Sequence, residues 1–239
     1  MLLFSKKPMG LREDLIKETK DKLREQVNED DFIVQTISSI SEIDKVINIL
    51  IKRIREWYAL YNPEFERKME DHQRFIELIL DDKVEKEKDS IGADIELEPV
   101  MNLLKEVDGL FKLKEKQEKY LEKIMTNYCP NVTAVAGVSI GAKLIALAGD
   151  LKRLVLFPSS TVQLLGAEKA LFRHMKTGAR SPRHGIIVQH PLIVSSPQKE
   201  HGRSARALAD KISMASKIDY FKGEFIGDKL RKKLEERFK

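Results

Sequence analysis

Apolar residues recur at helical spacing along most of the chain, and the pattern changes character as it goes. Over residues 11–27, Leu11, Leu15, Ile16, Leu23 and Val27 predict an amphipathic helix. Asp30 and Asp31 offer an N-cap for a second helix from Phe32 to Ile40. Ser41 with Asp44 reads as a capping box that starts a third, from Glu42 to about Leu60. Its stripe is Ile43, Val46, Ile47, Leu50, Ile54, Trp57 and Tyr58. Asn62-Pro63 ends that helix and opens the next, because proline suits a first helical turn and not a helix interior.

The next segment reads as a coiled coil. Phe65, Met69, His72, Ile76 and Ile79 follow one another at spacings of four, three, four and three, with charged residues between. A helix from Pro63 to about Lys88 is roughly 40 Å long at ~1.5 Å per residue. SIGAD, Ser90 to Asp94, reads as the turn at its tip. A second helix follows from about Glu98, with Val100, Leu104, Val107 and Phe111, then Leu121 and Ile124 after a polar interruption. Two such helices form an antiparallel hairpin with little apolar surface of its own. Self-association along Phe65, Met69, His72, Ile76 and Ile79 is the simplest way to cover it. The division expected is 1–62 for helices at the base of the arm, 63–128 for a coiled-coil dimerisation arm and 129–239 for a compact head.

Pro130 opens the head. Residues 132–149 are dense in alanine and glycine, which permits close helix packing. Residues 154–157 and 185–189 have strand-like composition but stand isolated. Pro158-Ser159-Ser160 and Gly166-Ala167-Glu168 look like helix starts, and Ser204–Lys217 and Phe225–Phe238 read as the last two helices. With no repeat and no alternation of strands and helices, the fold class is all-α.

Charge divides the chain more sharply than its total of +5 indicates. Residues 1–62 carry 11 basic and 11 acidic side chains, residues 63–128 carry 12 and 18, and residues 129–239 carry 20 and 9. A polyanion is repelled by the middle and drawn to the head. No apolar run approaches the ~20 residues of a membrane span. The start, MLLFSKKPMG, is too briefly apolar for a signal peptide. One cysteine, Cys129, excludes an internal disulfide framework and fits a reducing, intracellular compartment.

Catalytic motifs fail on context. GVSIG, Gly137 to Gly141, matches a nucleophile elbow around Ser139, and Asp150 and His174 follow in the expected order. An elbow needs a strand ending in a strained turn within a sheet, which this chain does not supply. Gly141-Ala142-Lys143 lacks the lysine directly after glycine, and Leu144 stands where a P-loop needs a hydroxyl. His174, His184, His190 and His201 lack metal-ligand spacing, and Cys129 reads as a buried structural thiol. No catalytic residue, metal or cofactor is expected. The stretch 166–206 is different: Lys169, Arg173, Lys176, Arg180, Arg183, Lys199, Arg203 and Arg206 face only Glu168 and Glu200. Glycines among these cations let backbone approach phosphate oxygens, and His184 offers a ring that can stack on an unpaired base. Composition alone leaves RNA and an acidic protein as alternative partners for a basic head on a coiled-coil adaptor.

GAEKALFRHMKTGARSPRHGIIVQHPLI, Gly166 to Ile193, resembles the signature of the Nop-domain family. It is most similar to the archaeal, Nop56/Nop58-like core proteins of box C/D small ribonucleoproteins. SARALADKISMASKIDYF (Ser204–Phe221), IREWYALYNPEF (Ile54–Phe65), SIGAD and YLEKIMTNYCPNVTAVAG (Tyr120–Gly137) extend the resemblance from about Leu11 to Lys239. It implies an all-α scaffold whose arm dimerises and whose head binds kink-turn RNA together with a small kink-turn-binding protein, supporting guide-directed 2′-O-methylation. It places Gly166, Ala167, Glu168 and Lys169 at a helix start facing RNA. Ala170, Leu171, Phe172 and Arg173 come near the end of the guide–target duplex. His184 is similar to a histidine that stacks on a base in the spliceosomal relatives. Lys176, Thr177, Arg180, Arg183, Arg203 and Arg206 complete the expected RNA-binding set. Such proteins are cytoplasmic in archaea and nucleolar in eukaryotes. Members of this branch begin with a globular domain of roughly a hundred residues that binds fibrillarin. Only about ten unrelated residues precede the first matching helix here, so fibrillarin recruitment by this chain is doubtful.

Overall fold

A computed structural model describes residues 11–25 and 27–238, and among them there are helices and no strand, as the all-α reading requires. The signal-peptide reading of residues 1–10, and Gln26 within the first predicted helix, lie outside the described residues. Helix α1 (Leu11–Glu25) is followed by α2 (Glu29–Tyr58), a single 30-residue helix where two were expected. Asn28 is its N-cap, with its N–H donating to Asp31 at 3.0 Å. Ser41 starts nothing: its hydroxyl donates to the Ile37 carbonyl at 2.8 Å, a bond to the preceding turn that leaves the helix continuous.

The hairpin is formed by α2 and the 31-residue α5 (Glu98–Tyr128), not by residues 63–88 and α5. Between them lie only α3 (Pro63–Lys68) and α4 (His72–Leu80), then a non-helical segment to Leu97. Arg55 explains the break. Its guanidinium donates to the carbonyls of Glu66 (2.9 Å) and Met69 and pairs with the Glu66 carboxylate at 2.7 Å, so the end of α3 needs no further turn. Asp71 then caps α4 by accepting from the Arg74 N–H at 2.6 Å. SIGAD is not a tip. It straps the α2–α3 junction, where the Ala93 N–H donates to the Leu60 carbonyl and Ser90 donates to Glu64. A Cβ on Gly92 would stand 1.8 Å from the Tyr61 oxygen, so only glycine passes there.

Two apolar cores share α2 and α5. Ile33, Ile37 and Ile40 join Leu121 and Met125 in the head core, while Ile47, Ile51, Ile54 and Tyr58 join Val100, Leu104, Val107 and α4 in the arm core. The arm therefore takes in the second half of α2. Of the stripe expected there, Val46 is exposed and Ile43, Leu50 and Trp57 are only partly covered. Where the cores meet, the α2–α5 seam carries Asp44 and Lys114, paired at 2.7 Å. Both side chains are partly exposed, so the pair contributes little to stability.

The head comprises α6 (Pro130–Ala136), α7 (Val138–Ala148), α8 (Leu151–Leu156), α9 (Ser159–Leu164), α10 (Glu168–Thr177), α11 (Pro191–Val194), α12 (His201–Tyr220) and α13 (Gly227–Arg237). The segments with strand-like composition are α8 and a 3₁₀ turn, Ile186–Gln189. Buried Ala205, Ala207, Ala209 and Ala215 let α12 lie close against α6 and α9. Its buried Asp219 accepts from Asn131 N and Nδ2 and from Val132 N, holding the start of α6. Burial pushes the Asp219 carboxyl above its ordinary value against those bonds. Asp30 ties arm to head by accepting from the Tyr128 hydroxyl at 3.0 Å and the Leu151 N–H at 3.2 Å. Cys129 is buried at this joint, and burial, with Asp219 and Asp30, pushes its thiol far up. No single described helix is long and apolar enough to cross a membrane.

Candidate nucleic-acid interface

The surface begins where α9 ends. Gly166 takes φ of +85°, turning the chain out of the core, and its N–H donates to the Glu168 carboxylate at 2.7 Å. Glu168 thus braces the turn that starts α10. Lys169, Phe172, Arg173, Lys176 and Thr177 are exposed, Ala167, Ala170 and Leu171 partly so, and α10 buries no side chain at all. Phe172 is 58% exposed and Met175 62%. An amphipathic helix that buries none of its side chains and leaves Phe172 and Met175 exposed presents apolar surface for a partner. Gly178, left-handed at φ +67°, ends it.

The chain then returns to α9. Gln163 Nε2 donates to the Arg183 carbonyl at 2.6 Å, the Gly185 N–H to the Gln163 carbonyl at 2.7 Å, and the Ile186 N–H to the Leu165 carbonyl at 2.8 Å. A Cβ on Gly185 would sit 1.9 Å from the Leu165 oxygen. This anchoring sets the His184 ring 6.0 Å from His201 of α12, centroid to centroid, at 55°. Burial holds His184 below its ordinary value, and His201 adds to the effect. Arg183 also lines a cleft of about 900 Å³ with Arg203 and Arg206 on the exposed side of α12. Among the described residues no ion pair engages Lys169, Arg173, Lys176, Arg180, Arg183, Lys199, Arg203 or Arg206. Their charge is left for a ligand.

The expected dimerisation residues sit differently from the expectation. Ile76 and Ile79 are 1% and 6% exposed, inside the arm core of this same chain. Phe65 stacks on Phe75 at 5.5 Å, and Met69 and His72 are half-buried, with His72 Nδ1 3.2 Å from Arg55. These five residues cover α2 and α5 rather than offering an open seam. On α5, Leu103, Leu110, Leu113, Gln117 and Tyr120 recur at heptad spacing interrupted by Glu106; Leu113 and Tyr120 are exposed, while Leu103 and Leu110 pack partly against the arm core. Ser139 lies exposed on a helix, without an elbow's strand. Among the described residues no three His, Cys, Asp or Glu side chains converge as a metal ion requires.

A family model described as "snoRNA binding domain, fibrillarin", Nop, matches residues 39–93 and 82–239. An uncharacterised NOP5 family protein of Methanocaldococcus jannaschii is 40% identical over 233 residues, covering 87% of this chain and 56% of its own length. Nucleolar protein 56 of Homo sapiens is 34% identical over 252 residues, covering 92% of this chain and 42% of its own. The chain thus spans about half the length of the curated relatives it matches. A solved chain from a fibrillarin/Nop5p complex is similar at a TM-score of 0.61 and 26% identity, over 99% of this chain and 86% of the other.

Proposed function

The chain belongs to the Nop family, and from that premise we propose that it is a non-catalytic scaffold of a box C/D-type guide ribonucleoprotein. In this reading the head, residues 129–239, binds kink-turn RNA jointly with a small kink-turn-binding protein and supports 2′-O-methylation carried out by another subunit. The observation that carries it is α10: the GAEKALFR helix buries none of its side chains, and its cations, Lys169, Arg173 and Lys176, form no ion pair among the described residues. Joint binding follows from the modest charge, because eight cations spread over two clefts and a helix do not hold a folded RNA tightly alone. Fibrillarin docking is not assigned to these residues.

Self-association belongs to the proposal and is assigned to the α5 face that carries exposed Leu113 and Tyr120. The acidic arm suits this role, since it keeps RNA at the head and leaves the arm free for a second copy. Gel-shift titrations with each component omitted test the central reading. Binding to kink-turn RNA should need the small kink-turn protein, and tight, specific binding to bare RNA would sink that dependence.

A further inference from the structure

Arg180, Arg183 and His184, on the loop after α10, face Gln198, Lys199 and His201 across a cleft of about 580 Å³. No carboxylate lines this cleft, and Glu200, between Lys199 and His201, lines the apolar groove beside α13 instead. His201 Nε2 lies 3.0 Å from the Ser196 carbonyl oxygen, a contact that only a protonated nitrogen makes. Nδ1 is therefore the nitrogen left for a ligand, and it becomes a donor in the imidazolium form. The cleft sits at the first turn of the 20-residue α12, through Lys199 and His201. Two arginines and a lysine, with His201 as a further donor in its imidazolium form, make an environment rich in donors and free of carboxylates. That suits a phosphate.

We propose that this cleft is a phosphate-binding subsite in which Lys199, Arg183 and His201 hold one phosphodiester of the bound RNA backbone. The proposal rests on the RNA-binding reading and deepens it. Arg183 links the cleft to the one it lines with Arg203, Arg206 and Arg237, where cations outnumber the one carboxylate, Asp210, so a strand leaving His184 stays on a basic surface.

The experiment has two arms on the full chain. Inorganic phosphate is titrated at constant ionic strength while the five histidine ring signals are followed by NMR. Signals of His184 and His201 should move, that of His72 should not, and Lys199→Ala should abolish the response. Kink-turn RNA bound to its small protein is then titrated with the chain at several salt concentrations. Lys199→Ala should weaken binding about five- to tenfold and lower the salt slope by about one unit, while Lys152→Ala leaves both unchanged. The proposal is overturned if phosphate leaves both rings unmoved or moves them equally in Lys199→Ala. It is also overturned if that variant binds RNA as the parent chain does. If no kink-turn RNA binds at all while phosphate still moves the rings, the RNA reading falls and the cleft stands as an anion site.

Discussion

A Cβ at Gly185 would collide with the Leu165 carbonyl, whereas one at Gly109, within α5, meets nothing within 4 Å. Gly185→Ala should therefore lower both the denaturation midpoint and RNA affinity, because the turn that carries His184 must shift. Gly109→Ala should raise stability by about 0.5–1 kcal/mol through helix propensity alone. His190 gives a pH test. Burial holds it below its ordinary value of 6.5, outweighing a bond to the Val135 backbone, and Arg231 adds to the effect. Its Nδ1 accepts from the Leu192 N–H at 3.2 Å, which requires an unprotonated nitrogen there. A depressed histidine contributes stability that is complete above its unfolded value and is lost as pH falls through the folded one. His190→Asn keeps an N-cap acceptor, so its unfolding midpoint should change less than the parent's between about pH 7 and pH 5. At this scale the sequence makes the cations and His184 legible. His201 is hidden because only the path through the 3₁₀ turn and α11 brings it back beside His184.

The helices were largely legible as elements, α5 and α12 nearly to their ends, since their apolar spacing is local information. The α3–α4 break was not. Residues 63–88 keep a heptad pattern without an internal proline or glycine, and what interrupts them is Arg55, at least eleven positions upstream of the groups it binds. The same break turns Ile76 and Ile79 into the core of their own chain. Leu113→Glu with Tyr120→Glu should give monomers by light scattering with little change in unfolding, if α5 carries the dimer seam. Ile76→Glu with Ile79→Glu should instead destabilise the arm by several kcal/mol, as buried charges do. Equal oligomer loss with equal stability in both pairs would contradict this assignment. Phe172→Ala on α10 touches no core, so it should shift folding stability by less than about 0.5 kcal/mol yet weaken RNA binding in the ternary assay. A large loss of stability would mean that α10 packs against its own chain.

The whole molecule separates an acidic-to-neutral arm from a head of 20 basic and 9 acidic residues, a division read directly from the sequence. The sequence did not disclose that one pair of long helices serves both parts, with Asp44–Lys114 at the crossover and the Asp30 bonds fixing the joint. Head orientation on the arm is set by the apolar packing of Ile33, Ile37, Ile40, Leu121 and Met125 into the head core, and the Asp30 bonds, to residues 98 and 121 positions away, add polar ties at the joint. The central claim, that the head reads a kink-turn together with its small protein, is tested most directly by one affinity comparison. The chain is titrated, at one fixed salt concentration, against kink-turn RNA bound to that protein and against the same RNA with the kink-turn's non-Watson–Crick pairs converted to a regular helix. The account predicts saturable binding to the first and at least tenfold weaker binding to the second, a difference of about 1.4 kcal/mol or more. Equal binding to both would mean that the head recognises charge alone.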